Sequence, residues 1–401
     1  MMKKSIWTLG SLVLAGALNL ASCAEAGSNA GTAEVVKNAV DTVKQDSVAA
    51  VAEPEVEAVE EKVAVDRKYD DVARILAGMS IDEASEFYAV TQGEAWKAYA
   101  KKADQGWASA DAKRFDELRT WAGTELAGLN EMKGDLFYPF SGPDIYYGYQ
   151  FFPSAKNYHL FALEPAGNLT FMKSDDVNWM NYCNSVQNTI ADFIRGGFFH
   201  TKHMKVDMAR TGVLPTLLVF LVRSGNKIVN VRPVAIQADG SVAVLEGSND
   251  FSSVRVDFLD AKTQEQKTLF YHSSDVSDAG LEKRPELYKH LETVAANRTF
   301  TKSASYLMHR PTFTKVRELI LAKAKAVFQD DTAIPYHYYN SSEWDFTFYG
   351  QYTSPIPLFK VRYQSELREV YKTQKIKDLP FSLGYHSTRE HDNMMIAKRK
   401  N

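Results

Sequence analysis

LPTLLVFLVRSGNKIVNVRPVAIQADGSVAVL, residues 214–245, decides the fold class. Leu214 to Val222 is a continuous apolar run, and Ser224-Gly225-Asn226 after it is a turn sequence. Lys227 to Ile236 then places apolar side chains at Ile228, Val229, Val231 and Val234. Ala238-Asp239-Gly240 turns the chain back into Val242-Ala243-Val244-Leu245. Beyond it, Val254, Val256 and Phe258 alternate with period two, as do Leu269 and Tyr271. Period-two alternation between short polar turns is the signature of strands that pair with their sequence neighbours. Five successive strands of this kind predict an antiparallel meander.

Helical periodicity lies on either side. Ala279–Ala296 and Pro311–Val327 follow the meander, and Val177–Phe199 precedes it, ending at Gly196-Gly197, which suits a helix stop. Tyr158 to Leu163 is a predicted strand. From Asp70 to Leu129 apolar residues recur at helical spacing, as in Val72, Ile75 and Leu76, or Phe115, Leu118 and Trp121. Trp96, Trp107 and Trp121 are the expected core of this region. Phe137-Tyr138-Pro139-Phe140-Ser141-Gly142-Pro143-Asp144 holds two prolines and a glycine and is expected to be a loop. After Val327 the chain is rich in Tyr, Phe and Pro and is expected to close as a tail of loops, ending in a solvated basic Lys398-Arg399-Lys400. The expected class is α+β: a helical region, then a mainly antiparallel sheet with flanking helices.

The N-terminus reads differently. Met1-Met2-Lys3-Lys4 precedes an apolar run from Ile6 to Leu20, and Leu20-Ala21-Ser22-Cys23 follows. The run is shorter than the ~20 residues that span a bilayer as a helix. A basic start, a short apolar stretch and small residues form a secretory signal. With the cysteine at its end, the segment resembles the signal of bacterial lipoproteins. That resemblance implies cleavage before Cys23, diacylglycerol and further acyl (palmitate) chains on Cys23, and stable membrane anchoring. Ala24 after the acceptor implies the outer membrane rather than the inner. Residues 24–66 contain no aromatic residue and carry ten acidic against three basic side chains. Such a segment buries too little apolar area to offset the entropy of ordering it. The expected organisation is a signal peptide at 1–22, an acidic disordered tether at 23–66, a helical region at 67–130 and an α+β domain at 131–401.

Composition narrows the function classes. The chain has 401 residues, 45% hydrophobic and 12% aromatic, with a formal charge of -3 that the acidic tether accounts for. A near-neutral body gives no electrostatic case for nucleic acid. With Cys23 lipidated, Cys183 has no partner for a disulfide, and its place in a predicted helix makes it a small buried hydrophobe.

No phosphate loop, dinucleotide fingerprint, Gly-x-Ser-x-Gly elbow or His-Glu-x-x-His occurs. His200-Thr201-Lys202-His203 sets two imidazoles three apart, but Lys202 between them disfavours a cation, so no metal or cofactor is expected. Ser141 and Asp144 share a rigid Pro/Gly turn, where a histidine such as His309 or His386 would complete a nucleophilic set. The bland alternative is a tight turn in which both bond local backbone. Asp330 and Asp331 stand before Pro335-Tyr336-His337 and would serve as paired acids, or simply cap a turn. Trp344, Tyr349 and Tyr352 suit ligand stacking or, more commonly, packing.

Phe137–Asp144, Leu163-Glu164-Pro165 and Gln329–Pro335 resemble a family of secreted bacterial proteins with no assigned activity, so no residue role follows from them. The reading with most support is a membrane-anchored envelope lipoprotein whose soluble body binds a ligand, an envelope protein or a glycan. Its alternative is a lipid-anchored hydrolase using Ser141 or the Asp330/Asp331 pair.

Overall fold

The sheet starts well inside the chain. The computed structural model describes residues 66–169, 177–199, 212–247, 252–385 and 391–400. Helices α1 (Arg67–Ala77), α2 (Tyr88–Gln92), α3 (Glu94–Ala110), α4 (Asp116–Glu125) and α5 (Ala127–Asn130) come first. Then β1 (Leu136–Pro139), α6 (Ile145–Phe151) and β2 (Asn157–Ala162) form a parallel β-α-β unit. Helices α7 (Trp179–Gly196) and α8 (Leu214–Arg223) lead into β3 (Lys227–Ile236), β4 (Val242–Val244), β5 (Ser253–Leu259) and β6 (Gln266–Ser273). Helices α9 (Asp278–Lys283) and α10 (Pro285–Val294) precede β7 (Arg298–Thr301), and α11 (Thr314–Lys323) precedes β8 (Ala326–Gln329). The last elements are β9 (Trp344–Gly350), α12 (Ser365–Thr373) and β10 (Asn393–Arg399). Among the described residues no helix is long and apolar enough to cross a membrane.

The ten strands among the described residues form one sheet in the order β4-β3-β5-β6-β2-β1-β7-β8-β10-β9. The expected α+β class holds, and β3 pairs antiparallel with β4 and with β5, and β5 with β6, but the run is not the expected meander, because β5 lies on the opposite side of β3 from β4. The sheet as a whole, however, is mixed rather than mainly antiparallel. Strands β6, β2, β1, β7 and β8 are mutually parallel, and β10 and β9 add an antiparallel pair at the far side.

Three local expectations change with it. Leu214–Val222 is not a strand but α8, with Pro215 in its first turn and Leu214 to Val222 all buried. A helix enclosed on every side shows no polar face, so its periodicity is hidden and an apolar run reads as a strand. Part of the Phe137–Asp144 loop is β1, with Pro139 as the strand's last residue, where a missing N–H costs least. The C-terminal tail is not loops alone. It contributes β9 and β10, and Arg399 lies in β10 with its guanidinium 4.4 Å from the Trp344 ring centroid. Trp344, Tyr349 and Tyr352 are buried as packing groups.

Helices cover both sheet faces. Alternation along β2 sends Tyr158 and Leu160 into one core and Phe161 into the other. The first core holds α1, α3, α4, α6, α7 and α8, including Trp96, Trp107, Trp121 and Cys183, as the sequence led one to expect. Burial pushes the Cys183 thiol up to about 12, so it stays an inert thiol. Asp70 of α1 accepts the Ile228 N–H of β3 at 2.8 Å, which fixes the first helix on the sheet edge. The second core is built from α10, α11 and α12.

Candidate functional site

Chain order runs from β1 outward to β2 and β6 on one side, then returns to β7 and β8 on the other. Between β1 and β7 the direction of winding reverses. In parallel α/β sheets the loops leaving such a pair diverge and open a crevice at the strands' carboxyl ends, where ligands bind. A cavity of about 280 Å³ lies there, lined by the loops that follow β1, β2, β6 and β7.

The β1 loop is sharply bent. Phe140 has φ 59° and Gly142 φ 54°, the left-handed region. Ser141 is buried, its N–H donates to the Phe161 carbonyl at 3.1 Å, and its hydroxyl donates to the Gly142 carbonyl at 2.9 Å. Asp144 caps α6 by accepting the Tyr147 N–H at 3.1 Å, and also accepts the Tyr138 hydroxyl at 3.0 Å. Lys302, the first residue beyond β7, reaches it across the crevice at 2.8 Å, with both side chains buried. Burial pushes the Asp144 carboxyl above the usual range, against the pull of the Lys302 ammonium. Lys302 also donates to the Gly197 carbonyl at 3.0 Å, and its ammonium lies 4.4 Å from the Tyr147 ring centroid. Gly197 ends α7 at φ 80°, and Arg114 binds the Phe193, Ile194 and Arg195 carbonyls beside it. Two cations therefore meet the negative end of α7.

The β7 loop is strained. Ser303, Ser305 and Tyr306 all have φ between 52° and 53°. Non-glycine residues in this region cost of order 1–3 kcal/mol each and persist only where neighbours over-determine them. Here the neighbours are Asp330, Asp331 and Thr332, in the loop after β8. Asp330 accepts the Ser303 N–H at 2.8 Å and the Thr332 N–H at 3.0 Å. Thr332 accepts the Ala304 N–H at 2.7 Å, and Asp331 accepts the Tyr306 hydroxyl at 2.7 Å. Burial first, and the Asp331 charge second, raise the Asp330 carboxyl to about 6. Tyr385 completes the brace, its hydroxyl 2.8 Å from that of Ser305.

The sequence-predicted residues thus separate. Ser141 and Asp144 line the cavity. Asp330 and Asp331 stand one layer behind, holding the β7 loop in shape. His309 binds the Asp331 carbonyl at 3.2 Å outside the cavity, and burial lowers it to about 4. His337 is exposed, its ring centroid 4.2 Å from that of Tyr338. His386, His200, His203 and Cys23 lie outside the described residues. Among the described residues no histidine lines the cavity.

Sequence reasoning missed Lys302 and the rings of Phe161, Phe198 and Phe313 that give the cavity its apolar wall. Only the pairing of β1 with β7 brings Lys302 to Asp144, and no spacing in the chain announces a parallel pair. Phe161 also stacks on His272 at 5.0 Å, so the cavity wall backs onto the second core. Glu164 and the exposed Asp275 stand at the cavity mouth and give it an acidic lip, because Lys302 is already neutralised by Asp144. The chain matches no family model, none of the curated proteins and none of the solved structures.

Proposed function

We propose that this chain is a lipid-anchored protein of the bacterial cell envelope, held at the outer membrane through Cys23, whose body binds a small ligand in the crevice between β1 and β7. The observation that carries the binding reading is the coincidence of cavity, winding reversal and strained loops at one place. The ligand has a compact apolar ring for the phenylalanine wall and a neutral or cationic polar group for the serines and the acidic lip. An anion is disfavoured, because Lys302, the one cation among the described residues of the wall, is paired. The hydrolase alternative has less support: Ser141 donates to a backbone carbonyl, and Asp330 is occupied in bracing Ser303.

A fluorescent neutral arylamine, N-phenyl-1-naphthylamine, is a suitable probe of the cavity. The full chain should bind it saturably at one site. Phe313→Ala and Phe198→Ala, each altering a half-buried ring, should weaken binding by roughly tenfold, about 1.4 kcal/mol. Non-saturable fluorescence, or equal affinity in both variants, would remove the case for the cavity. The anchoring has its own measurement. Cys23→Ser should move the chain from the membrane to the soluble fraction and abolish lipid labelling; unchanged fractionation refutes the anchor.

A further inference from the structure

His159 on β2, His272 on β6 and His290 on α10 converge in the second core. Each ring offers one nitrogen, and the three lie within 4.8 Å of one another. The residues are 5%, 0% and 5% exposed. Nδ1 of His159, Nε2 of His272 and Nε2 of His290 are buried and have no hydrogen-bond partner.

The other nitrogen of each ring is tied outward. His159 Nε2 is 3.2 Å from the Asp135 carboxylate, His290 Nδ1 is 2.9 Å from the Gly240 carbonyl, and His272 Nδ1 is 3.1 Å from the Ser253 hydroxyl. A carboxylate and a carbonyl only accept, so His159 and His290 each carry their proton on the outer nitrogen. Their inner nitrogens are bare lone pairs, and the Ser253 hydroxyl, as an acceptor, permits the same tautomer in His272.

Inward-facing lone pairs with nothing to accept from are unfavourable in an apolar surround. Phe270 stacks on His159 at 5.0 Å and Phe161 on His272 at 5.0 Å, which holds these two rings in their orientation. A hydrogen-bonded histidine core would pair these nitrogens with each other or with polar neighbours. Instead the arrangement supplies three imidazole ligands, each oriented by an outer-shell acceptor, which is the pattern around zinc.

We infer that His159, His272 and His290 form a binding site for a divalent transition-metal ion, zinc by ligand type, with Asp135 positioning His159. Bonds of ~2.1 Å bring tetrahedral donors to ~3.4 Å, so each ring moves inward by at most on the order of 0.8 Å. The fourth position takes water or a small anion. Phe161 stands between this site and the ligand cavity, so the ion clips α10 to β2 and β6.

The test uses the full chain, stripped with a chelator and titrated with zinc against a chromophoric competitor. The intact chain should bind with a site that His272→Ala and His290→Ala each remove, while His309→Ala retains it. Zinc should raise the melting temperature of the intact chain and not of those two variants. Cobalt should give the intense visible bands of a four- or five-coordinate nitrogen site. Asp135→Asn keeps all three rings and should weaken binding 10–100-fold. Failure of the intact chain to bind zinc at micromolar concentration overturns the proposal, as does undiminished binding in both alanine variants. Should those variants fail to fold, unchanged affinity in Asp135→Asn overturns it.

Discussion

Replacing Lys302 by Met should cost about 3–5 kcal/mol of folding stability, measured by denaturant unfolding. The ammonium and Asp144 form a pair that is almost wholly withdrawn from water. Removing one member of such a pair leaves an uncompensated buried charge, which is far worse than never having had the pair. Pairing Lys302→Met with Asp144→Asn should therefore recover most of the loss, because the remaining group is neutral and still caps α6. The loss in Lys302→Met also has a pH signature. The folded-state pKa of Asp144 is already raised by burial, and without Lys302 it rises further. A raised carboxyl favours the folded state below its unfolded pKa, and that advantage disappears as pH climbs through the folded value. The single variant should be least damaged in acid and most damaged at neutral pH. A loss under about 1 kcal/mol, or a double variant as damaged as the sum of its parts, would show that the pair is not desolvated.

Trp121→Ala should be comparably severe, about 3–5 kcal/mol. The indole sits where α4 meets the sheet, with ring centroids 4.9 Å from Tyr349, 5.4 Å from Phe381 and 6.0 Å from Phe328. Its Nε1–H donates to the Asp378 carbonyl at 3.3 Å. Truncation leaves a cavity bounded by strand and helix residues that cannot both relax into it. Because the ring joins the N-terminal helices to β8 and β9, unfolding should remain a single transition, seen alike by far-UV circular dichroism and by tryptophan fluorescence. Two separated transitions would mean that the helices are an independent layer.

The parts of this fold that were legible in the sequence are those in which one face of an element meets water or a turn fixes the register. Strands β3, β5 and β6 pair antiparallel with strands close to them in the chain, and their period two was visible. Helices α1, α3, α4 and α7 showed a polar face. The concealed parts are enclosed. Helix α8 is buried on all sides, and β1, β7 and β8 are four-residue strands with every residue buried. Their partners are set by crossovers rather than by turns, so nothing local names them. The site divides in the same way. The Pro/Gly turn advertised Ser141 and Asp144, whereas Lys302 reaches Asp144 only through the β1–β7 pairing. The acidic pair was visible, but its work of bracing Ser303 and Tyr306 was not. His159, His272 and His290 come from separate elements and share no spacing that a motif could describe.

The sheet order also governs how this chain reaches its native state. β1 is made early, yet one of its two neighbours is β7, far along the chain. β9 is joined to the sheet only through β10, the last strand, which slots between it and β8. Assembly thus cannot keep pace with synthesis from the amino terminus. Pairings between segments remote in sequence must close long loops before they gain stability, and this slows folding. Until residues 393–399 arrive, β8 presents an open edge, so a chain stalled or clipped before that point would be prone to aggregate through it.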